Sequence, residues 1–221
     1  ELFKASQHRS MWENDLLLRA LQNAVYGDRQ QRALTRRSRG TDLKANRGAG
    51  MIFYTSDMHL GDERILRLSC RPFASVEEMD AALIRNWNQT VSEEDTVYIL
   101  GDLAFNDEAA QKVRKLKGRK ALLLGNHDAG LTLETLNCFE RVDKIMTITD
   151  GGYSVCLCHY PLLSYENSIY GGYHLFGHLH NNEKDLAYAI MENFPRSLPC
   201  GVDVNGFTPK TLAQLIDAHR R

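Results

Sequence analysis

The chain has 221 residues, enough for one substantial hydrophobic core, and this length favours one domain of α/β size. Its hydrophobic fraction of 43% and charged fraction of 25% are ordinary for a globular protein, which disfavours both a disordered and a membrane-embedded chain. The formal net charge of −1 gives the chain as a whole no case for binding nucleic acid or a membrane surface.

Residues 1–50 differ in charge from residues 51–221. The first segment contains ten Lys and Arg against five Asp and Glu, whereas the second contains 17 basic and 23 acidic residues. Ser10 and Glu13 form a capping box, and an apolar stripe at helical spacing predicts a helix over 10–26. We therefore expect a basic helical extension over residues 1–50 before a domain over residues 51–221; a regulatory role, a role in forming a homo-oligomer and an extended reading frame all stay open for the extension.

Downstream, runs typical of strands alternate with runs typical of helices. A capping box at Ser75 and Glu78 precedes apolar residues at every fourth position and predicts a helix near 76–92. Thr208 followed by Pro209 predicts the start of a last helix. The remaining predicted elements are a helix at 107–117 and strands at 51–56, 96–100, 120–124, 144–149, 153–158, 173–176 and near 198–204. This order indicates a mixed α/β architecture in which parallel strands gather a site at their C-terminal ends.

The five cysteines are odd in number and include no C-x-x-C pair. Cys156 and Cys158 share one face of a predicted strand, and we interpret them as small core residues rather than metal ligands. Reduced thiols are typical of the cytoplasm. The sequence shows neither a signal-peptide core nor an apolar run long enough to span a bilayer, so we expect a cytoplasmic protein without a membrane partner.

Five short polar motifs stand where predicted strands end. They are Asp57-Met58-His59, Gly101-Asp102, Gly125-Asn126-His127-Asp128, His159 and Gly177-His178-Leu179-His180. Their carboxylate, amide and imidazole donors suit divalent cations such as Mn, Fe, Ni or Zn. Because Asp57 and His59 are two residues apart, an extended segment would point both side chains at one ion. The single carboxylate of Asp102 could bridge two ions.

This order of motifs resembles the calcineurin-like metallophosphoesterase superfamily, and in particular its small bacterial and phage-type members, over residues 51–205. The resemblance implies a four-layer α/β/β/α sandwich with two divalent metal ions, of which manganese is the first expectation. Carried over residue by residue, it places Asp57, His59 and His180 on one ion, Asn126, His159 and His178 on the other, and Asp102 between them. His127 matches the family's catalytic acid, and Asp128 either orients that imidazole or serves as a turn residue.

The implied activity is that of a phosphohydrolase, most readily a phosphodiesterase acting on a nucleotide or another small phosphoester. A hydroxide shared by two cations would attack the phosphorus in line, and His127 would protonate the departing oxygen. The alternatives are a nuclease that holds nucleic acid with the basic N-terminal segment, a phosphomonoesterase, and a non-catalytic scaffold. The presence of His127 and of every ligand position argues against the scaffold.

Three departures narrow the resemblance. Phe105 stands where purple acid phosphatases have a tyrosine ligand, and Asp128 stands where protein Ser/Thr phosphatases have Glu. Asp62 stands where some close relatives have a histidine, which could alter substrate contacts. The first departure means that no iron–tyrosinate colour is expected, and the second disfavours the protein Ser/Thr phosphatases.

The surroundings of the motifs offer candidate substrate contacts. Arg64 and Arg71 could hold a phosphate oxygen, or could lie on the surface. The segment between His159 and His178 is too short for a large cap, so we expect an open site. One or two of its tyrosines could stack on a nucleobase, although covering the sheet edge is the stronger alternative. These tyrosines are Tyr160, Tyr165, Tyr170 and Tyr173.

Overall fold

The computed structural model describes residues 50–219. The helix expected at 10–26 and the rest of the basic extension lie outside the described residues, so these expectations stay predictions. The described part contains two four-stranded sheets with helices between and after their strands. The sheets face each other and have helices on their outer faces, so the expected α/β/β/α sandwich is confirmed.

The first sheet consists of four parallel strands in the order β1-β2-β3-β4. Their bounds are Ile52–Thr55 for β1, Thr96–Ile99 for β2, Arg119–Leu123 for β3 and Arg141–Asp143 for β4. The first three agree with the predicted strands to within one residue at every end. The sequence does not predict β4, because its three residues contain no apolar run.

The second sheet has the order β5-β6-β7-β8. Its strands are Ile145–Asp150 (β5), Tyr153–Cys158 (β6), Tyr173–Phe176 (β7) and Ser197–Pro199 (β8). β5 and β6 form an antiparallel hairpin, and β6, β7 and β8 run parallel. The last strand is shorter than expected, because the chain turns over residues 202–207.

Six α-helices accompany the strands of the described part. They are Glu63–Leu68 (α1), Val76–Thr90 (α2), Asp107–Ala110 (α3), Leu133–Leu136 (α4), Leu186–Met191 (α5) and Leu212–Ala218 (α6). Ser75 caps α2 by accepting a hydrogen bond from the backbone N–H of Glu78, as predicted. The predicted helix at 107–117 is α3 continued by a 3-10 turn.

The last helix begins later than Thr208 and Pro209 predict. Lys210 exchanges two backbone hydrogen bonds with Tyr54 of β1, which keeps the chain extended up to that point. The capping box of α6 is instead formed by Thr211 and Gln214. A long-range backbone pairing thus overrides a local helix signal.

The layers follow from the alternation of side chains along the central strands. Residues on one face of the first sheet pack against α2, and their neighbours on the other face pack against the second sheet. The helix side contains Phe53, Ile99 and Leu122 with Met79, Leu83 and Trp87; the space between the sheets contains Tyr54, Leu100 and Leu123 with Val155, Leu157 and Leu175. A smaller cluster under α5 covers the outer face of the second sheet.

The two sheets meet where their parallel strands end. The backbone N–H of Val202, just past β8, donates to the carbonyl of Ser56, just past β1, and Ser56 also forms a parallel bridge with Gly201. The segments that follow β1, β2, β3, β6 and β7 therefore gather at one edge of the sandwich.

The five cysteines are free thiols, and Cys156, Cys158 and Cys200 are buried. The interpretation of Cys156 and Cys158 as core residues is confirmed. Across residues 50–219, no helix is both long enough and apolar enough to cross a membrane.

We predict that residues 51–221 fold and hydrolyse a small phosphodiester without residues 1–50. Every candidate site residue follows Met51, and β1 begins at Ile52. Size-exclusion chromatography and metal analysis of the truncated protein test this boundary. A truncated protein that is unfolded or binds no metal would show that the extension belongs to the catalytic domain.

Candidate metal centre

The first motif, Asp57-Met58-His59, turns sharply after β1. Asp57 and His59 both have left-handed backbones, with φ of 57° and 49°, so the expected extended segment is wrong. Met58 is 1% exposed and packs into the core beside α2, while the polar side chains on either side of it come together. Burial of the apolar side chain between them, and not strand alternation, thus turns both polar side chains toward one site.

The motif Gly177-His178-Leu179-His180 repeats this arrangement after β7. His178 and His180 have φ of 70° and 52°, and Leu179 is buried under α5. The backbone N–H of His178 donates to both carboxylate oxygens of Asp57, at 3.0 and 3.1 Å. Gly177 is required here, because a Cβ atom would lie 2.6 Å from Asp57 Oδ2.

Backbone strain is concentrated at these motifs. Non-glycine residues seldom adopt the left-handed conformation, and they keep it only where the surroundings enforce it. Asp102 also has it, with φ of 54°. The candidate ligands in this conformation are Asp57, His59, Asp102, His178 and His180. Strain of this kind is typical of functional sites.

Asp57, His59 and His180 are candidate metal ligands that we call the first ligand group, and one donor atom from each lies within 4.8 Å of the other two. His59 is buried, and neither of its ring nitrogens has a hydrogen-bond partner within residues 50–219. Burial lowers the pKa of His59 to about 3, so its imidazole is neutral near pH 7. A buried, unpartnered nitrogen is costly unless something binds it, and a cation would do so.

Asp102, His159 and His178 form the second group within the same limit of 4.8 Å. His159 Nδ1 lies 2.8 Å from the carbonyl oxygen of Leu100, which can only accept, so this nitrogen carries the proton. His159 Nε2 then faces Asn126 Oδ1 at 2.9 Å. With the Asn126 amide in this orientation both atoms are acceptors, and a cation between them would bind both.

Asp102 lies between the two groups. Its Oδ2 is 3.6 Å from His59 Nε2 in the first group and 3.5 Å from His159 Nε2 in the second. Burial raises the pKa of the Asp102 carboxyl, and nearby cations would favour its ionised form. Gly125 allows the close approach, because a Cβ atom there would lie 2.7 Å from the backbone nitrogen of Asp102.

The donor set fits two divalent cations. Ligand atoms bound at about 2.1 Å from one ion can lie at most about 4.2 Å apart, so small side-chain movements would close either group. The structure brings together all the residues expected to bind metal, namely Asp57, His59, Asp102, Asn126, His159, His178 and His180. Their assignment to particular ions stays a prediction.

Asp128 braces two loops of the site instead of orienting His127. Its carboxylate accepts backbone hydrogen bonds from Asp102, Leu103 and Gly125, at 2.9, 2.9 and 2.8 Å. These are its hydrogen bonds within the described part of the chain. The expectation that Asp128 holds the His127 imidazole is therefore not met, and the turn-residue interpretation describes it better.

We predict that Asp128→Ala lowers the free energy of unfolding by about 2–4 kcal/mol, because two buried N–H groups and one part-buried N–H group lose their acceptor. Urea denaturation measures this change. Asp128→Asn keeps one acceptor oxygen and should lose less. An Asp128→Ala protein of unchanged stability but greatly reduced turnover would restore the orienting role.

The two candidate arginines lie in different environments. Arg64 is exposed; it pairs with Asp62 at 2.9 Å and lies over the Phe105 ring, 4.8 Å from its centroid. Arg71 is fully buried and pairs with Asp203 at 2.7 Å, so neither its expected contact with phosphate nor a surface position is correct.

Tyr160 lies closest to the candidate ligands among the four tyrosines of the 159–178 segment. Its ring centroid is 4.7 Å from that of His178. The Tyr165 hydroxyl donates to the carbonyl of Gly172, and Tyr173 is buried.

The sequence motifs do not predict Asp203 as a site residue, because it belongs to no motif and lies in a turn after β8.

No protein-family model matches the chain. The chain is 32% identical over 169 residues to the uncharacterized protein MJ1445 of Methanocaldococcus jannaschii, a match that covers 75% of this chain and 89% of that protein. It is 27% identical over 181 residues to the Gene 66 protein of Mycobacterium phage D29, covering 69% and 87%.

Among solved structures, the fold is similar to that of AQ665 from Aquifex aeolicus, a protein of unknown function. The TM-score is 0.61 and the identity 23%, and the match covers 76% of this chain and 98% of that one.

The class of protein is thus an α/β/β/α sandwich with two adjacent groups of candidate metal ligands at one edge. The extent of the match to the Methanocaldococcus protein identifies the family: the chain belongs to the family of MJ1445.

Proposed function

We propose that this chain is a dinuclear-metal-dependent phosphohydrolase, and more narrowly a phosphodiesterase that acts on a nucleotide or another small phosphoester. The observation that carries the proposal is the position of Asp102 Oδ2, which lies 3.6 Å from His59 Nε2 and 3.5 Å from His159 Nε2. A carboxylate between two ligand groups can hold two cations side by side, as in two-metal phosphoester hydrolysis. The order of the motifs, which resembles that of the calcineurin-like metallophosphoesterases, supports the same conclusion.

The ligand chemistry supports a transition metal rather than magnesium. Each group combines carboxylate or amide oxygen with imidazole nitrogen, a mixture that suits Mn, Fe, Ni or Zn, and we expect manganese first. Two such cations, when bound, supply charge neutralisation at the phosphoryl oxygens and a nucleophile derived from water. Asp57 and Asp102 offset their charge, and the neutral His59 offers a lone pair.

We propose that His127 serves as the general acid. Its side chain is 47% exposed, and its Nε2 lies 4.0 Å from Asp102 Oδ2, so it stands at the open side of the two groups. Its backbone N–H donates to Asp102 Oδ1 at 2.9 Å, which fixes the backbone from which the His127 side chain extends. An exposed imidazole at this position can donate a proton to the oxygen of the leaving group.

An exposed tyrosine at the rim of the site supports the proposal that the substrate contains a planar group such as a nucleobase. Tyr160 is 44% exposed and packs edge-on against both His159 and His178. An aromatic ring that is held at the site and open to solvent can stack on a nucleobase. We propose this contact for Tyr160 alone among the four tyrosines.

A substrate panel on metal-reconstituted protein tests the proposal. It comprises bis-para-nitrophenyl phosphate, para-nitrophenyl phosphate, cyclic nucleotides, dinucleoside polyphosphates, and single-stranded DNA and RNA. We expect metal-dependent cleavage of the diester, with slower cleavage of the monoester and loss of both in the presence of a chelator. Cleavage of single-stranded DNA or RNA alone would favour the nuclease. The absence of any metal-dependent cleavage would favour the non-catalytic scaffold.

A further inference from the structure

The buried guanidinium of Arg71 is hydrogen-bonded to the backbone of the first ligand group. The side chain of Arg71, in the segment between α1 and α2, has 0% relative exposure. Its Nη2 donates to the carbonyl of Asp57 at 2.7 Å, and its Nη1 donates to that of Met58 at 2.9 Å. These are the carbonyls of the strained turn that presents Asp57 and His59.

The same guanidinium holds Asp203 by two parallel hydrogen bonds. Arg71 Nε donates to Asp203 Oδ1 at 2.7 Å, and Nη2 donates to Oδ2 at 3.0 Å. Nη1 also lies 3.3 Å from the sulfur of Met79. All three guanidinium nitrogens therefore have partners inside the protein, and no N–H group is left over for a substrate phosphate.

Asp203 extends the network to the third residue of the group. Its Oδ2 lies 2.7 Å from His180 Nδ1, so Nδ1 carries a proton, and in the neutral imidazole the lone pair is on Nε2. Nε2 faces Asp57 Oδ1 at 3.8 Å. Arg71 and Asp203 together thus contact the backbone or the side chain of residues in both motifs of the first group.

We propose that Arg71 and Asp203 are positioning residues that preorganise the first ligand group, Asp57, His59 and His180, for a divalent cation. Arg71 fixes the strained turn, and Asp203 sets the tautomer and the ring orientation of His180. A carboxylate behind a ligating histidine is a recurrent device for this purpose. The inference rests on the proposed metal-dependent function, because it needs an ion to be bound.

The second ligand group is held by other contacts, so the proposed role of Arg71 and Asp203 concerns the first group alone. The outer nitrogen of His159 is hydrogen-bonded to the carbonyl of Leu100, at 2.8 Å, and not to a carboxylate. Asp102, in the second group, is fastened through Asp128, which accepts from its backbone N–H at 2.9 Å. Loss of the Arg71–Asp203 pair should therefore weaken one of two metal sites and leave the other intact.

The test is a manganese titration of the metal-free full-length protein, followed by electron paramagnetic resonance and calorimetry. We expect two sites in the wild type. Asp203→Asn should weaken one site about 10- to 100-fold, the usual cost of losing such a carboxylate, and leave the other within about twofold. Arg71→Lys keeps the charge but offers three donors instead of five, and should weaken the same site.

Asp95→Asn is the matched control. Asp95 is a buried carboxylate that accepts two backbone hydrogen bonds, from Met51 and Ser92, both at 2.7 Å, and it belongs to neither ligand group. It should lower stability without changing either manganese affinity. Equal weakening of both sites by Asp203→Asn, or two unchanged sites, would overturn the inference while leaving the proposed function intact. A wild type that binds no manganese would overturn both.

Nitrogen-15 NMR of the histidines in the metal-free wild type keeps the inference testable if both variants fail to fold. We expect His180 to be protonated at Nδ1 with that proton hydrogen-bonded. A neutral His180 protonated at Nε2 would overturn the inference, because Asp203 would then not set the tautomer.

Discussion

Asp102→Ala is expected to lose most of both manganese ions and to show no measurable hydrolysis above background. The reason is that Asp102 Oδ2 lies within 3.6 Å of a nitrogen in each ligand group, so one truncation removes an oxygen donor from both. It also leaves the two cations without the anion between them, and their mutual repulsion would then favour release. Elemental analysis after gel filtration gives the number of ions per chain.

The matched control for this variant is Asp95→Ala, which also removes a buried carboxylate that accepts backbone hydrogen bonds. It should keep both ions wherever it stays folded. Circular dichroism establishes folding for both proteins. Full occupancy of both sites in a folded Asp102→Ala protein would rule out the bridging role.

His127→Ala is expected to retain both ions and to slow hydrolysis about 10²- to 10⁴-fold, the usual contribution of a general acid. The side chain is 47% exposed and its ring lies 4.0 Å from Asp102, outside the shared ligand position. The loss should be largest for alkoxide leaving groups, since para-nitrophenolate departs with little need for a proton. Steady-state kinetics on a series of diesters with graded leaving groups measures this dependence.

Equal losses for good and poor leaving groups would assign His127 another role, such as binding the phosphoryl group. His219→Ala is a suitable control. His219 lies just after α6 and donates from Nδ1 to the carbonyl of Leu215, so its removal should leave turnover unchanged.

The convergence of the site is predictable from the sequence for a simple reason. Polar motifs that follow apolar parallel strands meet at one sheet edge, and the fold of the protein brings together the motifs after β1, β2, β3, β6 and β7. The strands β6 and β7 agree with the predicted ranges at both ends, because each is a largely apolar run that directly follows a pair of glycines.

The detailed geometry of the site depends on long-range contacts that no local sequence pattern predicts. The left-handed backbone of Asp57 and His59 is imposed by hydrogen bonds to Gly101 and Asp102 from another strand end. The pairing of Arg71 with Asp203 joins residues 132 positions apart. Neither relation has a sequence spacing that would reveal it.

The most direct test of the proposed two-metal site is anomalous diffraction at the manganese edge from crystals of the reconstituted protein. We predict two peaks in each chain: one bounded by Asp57, His59 and His180, the other by Asn126, His159 and His178, with Asp102 touching both. A single peak, or two peaks that do not share Asp102, would contradict the dinuclear site from which the proposed activity is derived.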